Sequence, residues 1–151
     1  MQREKHIQKL LSRWLSNYFL NKTVLLIEEN VLFKVNDFKM SADLIAIQSK
    51  SNVIHGFEIK SLIDKQNLIP SIWQTYSYYT NYRWLVIPIE NAKIINEVGL
   101  EQIQKLGIGI ITFDYIINDF RVLREASYVD GNFLKFLPQL ESEWLTINKK
   151  R

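Results

Sequence analysis

Residues 41–60, SADLIAIQSKSNVIHGFEIK, decide the fold. Residues 41–47 and 53–60 are rich in β-branched and aromatic side chains, which favours strands, and the polar segment 48–52 between them favours a turn. The pattern therefore predicts a β-hairpin in which the two runs pair in antiparallel orientation.

A turn centred on Lys50-Ser51 sets Asp43 opposite Glu58 and Ser41 opposite Lys60. Directly opposed Cβ atoms lie about 4.5–5.5 Å apart, and side chains alternate along a strand, so Glu58 and Lys60 share one face. Two opposed carboxylates repel each other, and we expect a lysine and a divalent metal ion to compensate them. The alternative is a surface hairpin whose charges serve solubility, but both strands are otherwise strongly apolar.

The composition predicts one globular domain, residues 1–151, with 47% hydrophobic residues and no cysteine. A formal net charge of +3 suits an anionic partner without requiring one. The absence of cysteine excludes disulfides and thiolate zinc sites, and only two histidines are present. No long apolar run predicts a signal peptide or a membrane span, so we expect a cytoplasmic protein with no membrane partner.

Hydrophobic spacing predicts alternating helices and strands along the rest of the chain. Helices are expected at about 4–20, from Pro70 onward with Ile72, Trp73, Tyr76 and Tyr79 as its apolar face, at 91–106 and at 132–145; strands are expected at 24–27, 31–35, 82–89, 108–113 and 120–124. Residues 82–89 are typical of a central strand covered on both faces. Asn91 is expected to cap the third helix and Gly107 to end it. This order predicts an α/β fold, a mixed central sheet flanked by helices.

The chemistry of the hairpin points to a hard cation. Mg²⁺ prefers oxygen ligands, keeps several waters and needs only one or two protein carboxylates, and Asp43, Glu58 and the carbonyl of Ile59 could supply them. Such an ion lowers the pKa of a bound water and offsets charge on a phosphodiester, while Lys60 could orient that water or help to deprotonate it.

Asp43 together with Glu58-Ile59-Lys60 resembles the motif of the PD-(D/E)XK nuclease superfamily, which contains restriction enzymes, some homing endonucleases and Holliday junction resolvases. The resemblance covers about residues 4–114, with 115–151 as a C-terminal extension, and Ala42 stands where the motif's proline would be. It implies a restriction-endonuclease-like fold. It also implies Asp43 and Glu58 as metal ligands, Lys60 as the catalytic lysine, and Mg²⁺ as the cofactor, with Mn²⁺ as a substitute.

Further positions resemble accessory features of that superfamily. Gln74 and Tyr78 stand four apart on the expected helix, one above the other, as in a Gln-x-x-x-Tyr pattern that approaches the site or the DNA. Glu4 lies where several members carry an additional acidic metal ligand, although an acidic residue is also favourable at any helix N-terminus. Ser41, Arg121 and Arg124 are candidate DNA contacts. His55, on the strand face opposite Glu58, is expected to be a packed or edge histidine rather than a ligand.

The resemblance implies an Mg²⁺-dependent endonuclease that hydrolyses double-stranded DNA, and a site-specific enzyme of restriction or intron-homing type is the first expectation. A Holliday junction resolvase and a repair nuclease are alternatives within the same chemistry. A catalytically silent nucleic-acid-binding module is the alternative from another class. Because the two strands of a duplex are antiparallel, a symmetric pair of subunits is the simplest way to cut both, so we expect a homodimer or a higher even-numbered homo-oligomer.

Overall fold

A computed structural model describes residues 2–19, 24–35, 38–48 and 53–137. Over these residues the chain is a mixed α/β structure with one six-stranded sheet. Its helices are α1 (Gln2–Trp14, continued by a π-helical turn at Leu15–Phe19), α2 (Leu68–Tyr76), α3 (Ala92–Ile94) and α4 (Leu100–Leu106), and its strands are β1 (Val24–Val35), β2 (Phe38–Gln48), β3 (Ile54–Ile59), β4 (Tyr82–Pro88), β5 (Gly109–Asp114) and β6 (Asp119–Arg124). None of the helices in this described part is long and apolar enough to cross a membrane.

The strands lie in the sheet in the same order as in the sequence. β1, β2 and β3 are antiparallel neighbours, β3, β4 and β5 are parallel, and β6 returns antiparallel to β5. Parallel neighbours require a crossover, which α2 provides between β3 and β4 and the α3–α4 segment provides between β4 and β5. The C-terminal ends of β3, β4 and β5 therefore meet at one edge of the sheet, here called the carboxyl edge.

Helices cover both faces of the sheet, which confirms the predicted mixed sheet flanked by helices. On one face the apolar side of α1 packs against β3, β4 and β5; its core residues include Ile7, Leu11, Leu15, Phe57, Trp84 and Ile111. On the other face α2 and the α3–α4 segment pack against the alternate residues of β4 and β5. The core on this face includes Ile72 and Ile103 of the helices and Leu85, Ile87 and Ile110 of the strands. β4 is thus a central strand buried on both sides, as its sequence predicts.

The predicted register of the hairpin is confirmed. β2 and β3 pair through Leu44 with Phe57, Ile45 with Gly56, Ala46 with His55 and Ile47 with Ile54, and each pair belongs to the register that sets Asp43 opposite Glu58. The turn residues 49–52 that produce this register lie outside the described residues. One register is strongly specified here because a slip of one residue would turn every apolar side chain to the opposite face.

The two short strands predicted at 24–27 and 31–35 are wrong, because a single strand, β1, spans both. Glu29 pairs with Leu44 and Val31 pairs with Ala42, so the polar segment between the predicted strands stays in the sheet. Asn30, within this segment, has a φ of 54°, a left-handed conformation that asparagine tolerates better than most residues.

The predicted helix at 91–106 is interrupted: a 3₁₀ turn at Ile89–Asn91 and a π-helical turn at Ile95–Gly99 precede and follow α3. Gly107 ends α4 with a φ of 69°, as predicted. The predicted cap is wrong, since the side chain of Asn91 makes no cap hydrogen bond. Its Oδ1 instead accepts the backbone N–H of Ile63 at 3.0 Å and so ties the loop after β3 to the end of β4.

The apolar face predicted for the second helix is also wrong in part. The helix begins at Leu68, before Pro70, and buries Ile72, whereas the side chains of Trp73 and Tyr76 remain 51% and 38% exposed.

The helix predicted at 132–145 is not found in its described part. Phe133–Phe136 form a 3₁₀ turn, and Leu137 is extended, with φ −78° and ψ 142°. Pro138 follows in the sequence, and a residue that precedes proline is pushed out of the helical region. Residues 138–151, with the rest of the predicted helix, lie outside the described residues.

Candidate active site

Two carboxyl groups meet at the carboxyl edge. Asp43 lies in β2 just beyond the last pair with β3, and its Oδ2 accepts the backbone N–H of Ile59 at 2.7 Å. Glu58 lies on β3, is only 3% exposed, and has the half-buried Asp43 as its acidic neighbour. Burial, which is the larger cause, and the negative charge of Asp43 raise the pKa of Glu58 to about 8. Glu58 therefore carries a proton at neutral pH unless a cation replaces it.

Lys60 completes the predicted trio. It follows the last residue of β3, and its backbone N–H donates to the carbonyl of Val86 in β4 at 2.9 Å. Its Nζ lies 3.7 Å from Glu58 Oε1, with the lysine side chain 27% and the glutamate side chain 4% exposed. The structure thus brings Asp43, Glu58 and Lys60 together, as the sequence predicts. The lysine side chain is therefore more exposed than that of Glu58.

Tyr78 also reaches this group, by a route that differs from the prediction. α2 ends at Tyr76, so Gln74 and Tyr78 do not lie one above the other on a helix, and the side chain of Gln74 is exposed. The phenol of Tyr78, 1% exposed, donates a hydrogen bond to Glu58 Oε2. The ring passes so close to Gly56 that a Cβ there would lie 2.8 Å from Tyr78 Cδ2, and this close approach explains the glycine inside β3.

The N-terminal part of α1 lies over Asp43 from the other face of the sheet. A cavity of about 140 Å³ is lined by Glu4, Lys5, Gln8, Asn30, Asp43 and Ile59. Glu4 therefore reaches the same cavity as Asp43, as expected from the resemblance. Gln8 and Asn30 are lining residues that sequence reasoning missed. The signal for Gln8 was its place at helical spacing between Glu4 and the buried Leu11 and Leu15.

Three further residues are candidate DNA contacts. Ser41 is exposed and pairs with Leu32 of β1; it does not pair with Lys60, because the described ladder between β2 and β3 ends before either residue. Arg121 and Arg124 lie on β6. β4 and β5 lie between β3 and β6. Three spacings of about 4.8 Å therefore place β6 about 14 Å from β3.

His55 is packed in the core, one of the two predicted environments. It is 4% exposed, and its ring stacks on Tyr82 at a centroid distance of 4.6 Å. Nδ1 accepts the indole N–H of Trp84 at 3.1 Å, so Nε2 carries the hydrogen and donates it to Gln48 Oε1 at 2.7 Å. Burial lowers the pKa of His55 to about 4, which keeps the ring neutral.

The donor set of the site suits a hard divalent cation. Within the described ranges no cluster of three or more His, Cys, Asp and Glu side chains could hold a metal ion. Mg²⁺ does not need one, since two carboxylates, a backbone carbonyl and several waters satisfy it. The proton on Glu58 prevents repulsion between two negatively charged carboxylates. A bound cation would relieve the same repulsion.

No known protein-family model matches this sequence, and no curated protein matches it.

Proposed function

We propose that the protein is a metal-dependent DNA endonuclease with a restriction-endonuclease-like PD-(D/E)XK fold, which hydrolyses phosphodiester bonds of double-stranded DNA. One observation carries the proposal: Asp43, Glu58 and Lys60 lie together at the carboxyl edge, with the Lys60 Nζ 3.7 Å from Glu58 Oε1. The succession of the β2–β3 hairpin, α2 and the parallel strand β4 supports it, because that is the order of the superfamily's core.

Each residue of the trio has a role in this proposal. Asp43, Glu58 and the carbonyl of Ile59 would hold Mg²⁺ or Mn²⁺. When bound there, such an ion would lower the pKa of a water and offset the charge on the phosphate. Lys60, which is partly exposed and lies next to Glu58, orients the attacking water or helps to deprotonate it. Glu4, which lines the same cavity as Asp43, is the candidate for an additional acidic ligand.

The proposed substrate is a duplex target read by a site-specific enzyme of restriction or intron-homing type. Cutting both strands of a duplex calls for a homodimer or a higher even-numbered homo-oligomer. A Holliday junction resolvase and a repair nuclease share the same site chemistry. Parallel assays on plasmid, a four-way junction and a damaged duplex distinguish these roles.

A catalytically silent nucleic-acid-binding module is the second candidate, and one observation favours it. Glu58 is 3% exposed and its carboxyl group already accepts the Tyr78 phenol, an arrangement that can serve the core without a metal ion. Retention of both carboxylates and the lysine favours the enzyme.

Nicking of supercoiled plasmid in Mg²⁺ or Mn²⁺ tests the proposal. Asp43→Asn keeps an acceptor for the Ile59 N–H but removes the charge, and Lys60→Ala removes the ammonium. Both are expected to lower the rate roughly 10²–10⁴-fold. Lys65→Ala is the matched control, because Lys65 is on the same loop, its side chain is 72% exposed, and it pairs with Glu97 at 3.6 Å. Cleavage that persists in both site variants would refute the proposed site.

A further inference from the structure

Asp43 lies in β2 opposite Asn30 of β1, between two paired positions. In the β1–β2 ladder Glu29 pairs with Leu44 and Val31 pairs with Ala42, and the ladder skips the intervening Asn30 and Asp43. The β2–β3 ladder begins only at Leu44. Asp43, the proposed metal ligand, is thus not one of the paired residues of either ladder.

Gln8 of α1 contacts both Asp43 and Asn30. Its side-chain nitrogen, Nε2, donates to the backbone carbonyl of Asp43 and lies 3.4 Å from Asn30 Oδ1. The two amide hydrogens thus serve one acceptor on each strand. Gln8 is 6% exposed, and burial of an amide costs free energy unless the amide is hydrogen-bonded. These two acceptors therefore favour the observed packing of α1 on the sheet.

Asn30 supplies the second half of the contact. Its left-handed backbone, with a φ of 54°, interrupts the regular course of β1 at the position opposite Asp43. Its side-chain oxygen then faces Gln8. Asn30 thus presents an acceptor to Gln8 from the strand next to that of Asp43.

We propose that Gln8 is a positioning residue for Asp43: by holding the Asp43 carbonyl, it fixes where the Asp43 carboxylate stands relative to Glu58 and Ile59. Its effect on catalysis rests on the proposed nuclease function, but its effect on Asp43 does not. The side chain of Asp43 reports its own position, because Oδ2 accepts the Ile59 N–H at 2.7 Å. Exchange of the Ile59 amide hydrogen therefore measures the placement of Asp43 without any substrate.

The test replaces Gln8 by methionine, which keeps the length of the side chain and removes the amide. Gln102→Met on α4 is the matched control, the same change in a half-buried glutamine of another helix. In Gln8→Met we expect the Ile59 amide to exchange at least about tenfold faster relative to the amides of the central strand β4, and kcat for DNA to fall roughly 10–100-fold with KM little changed. Gln102→Met leaves both quantities as in the wild type.

A second variant covers the case in which Gln8→Met does not fold. Asn30→Gly keeps the left-handed backbone and removes only the acceptor that faces Gln8, so the same changes are expected with smaller amplitude. Ile59 exchange that stays at the wild-type ratio in folded variants overturns the role of Gln8, and so does a uniform rise in exchange over the whole sheet. A wild-type protein that cleaves no DNA, combined with selective loosening of Ile59, overturns the nuclease and upholds the positioning of Asp43.

Discussion

The phenol of Tyr78 donates a hydrogen bond to the Glu58 carboxyl group from a position two residues beyond the end of α2. This bond favours the ionised form of Glu58 and lowers its pKa, against burial and the charge of Asp43, which raise it. Tyr78 thus acts on the proposed metal ligand whose charge the site depends on.

Tyr78→Phe is expected to raise the pKa of Glu58 further above 8, because the variant keeps the ring and loses the donor. If Mg²⁺ binds Glu58 as proposed, it must displace the proton on this group, so the pH at which the ion begins to raise the melting temperature should move upward. Loss of the bond should also lower stability by about 1 kcal/mol. Tyr79→Phe, the same change in the neighbouring half-buried tyrosine, is the control. An unchanged pH dependence in Tyr78→Phe would contradict the prediction.

Glu58→Gln is expected to stabilise the protein in alkaline solution. The folded pKa of about 8 lies above the ordinary 4.5, so the stability that Glu58 contributes is fully present below about pH 4.5 and is lost as the pH rises through 8. The wild type should therefore lose a few kcal/mol over this range. The glutamine variant should lose less and melt at the higher temperature at pH 9. Urea unfolding at pH 5, 7 and 9 measures this, and parallel curves for the two proteins would show that Glu58 does not titrate as described.

His55 should make the fold sensitive to acid. Its folded pKa of about 4 lies below the ordinary 6.5, so its contribution is fully present above pH 6.5 and is lost as the pH falls through 4. The loss amounts to about 3 kcal/mol. His55→Gln should flatten the stability curve over this interval, whereas His6→Gln, the same change at an exposed position, should leave its shape unaltered. An NMR titration of the His55 ring with a midpoint near 6.5 would contradict the prediction.

Gly56→Ala is expected to destabilise the fold by about 1–3 kcal/mol. The new Cβ would lie 2.8 Å from both Tyr78 Cδ2 and Thr80 Cγ2, so the tyrosine ring must move. Because that ring carries the donor to Glu58, the variant should also shift the pH dependence of stability in the direction of Tyr78→Phe. Urea unfolding at two pH values separates the two effects. Wild-type stability in this variant would show that the contact is not tight.

The sequence alone determined the hairpin and its charges. Alternation with a period of two excludes registers shifted by one residue, and the turn predicted at Lys50-Ser51 selects the register that sets Asp43 opposite Glu58 with Lys60 on the same side. The central strand β4 was determined in the same way, because its residues are apolar on both faces.

Only the tertiary structure decided which residues hold the carboxylates in place. Gln8 contacts Asp43 because α1 packs on the sheet at this position. Tyr78 contacts Glu58 because α2 ends before Ser77 and the chain then turns toward β3. Neither contact follows from a local period: each joins residues at least 20 positions apart, and a buried polar group finds its partner only when helices and strands pack. Periodicity specifies which face of an element is buried, whereas docking of the elements specifies which polar atoms meet.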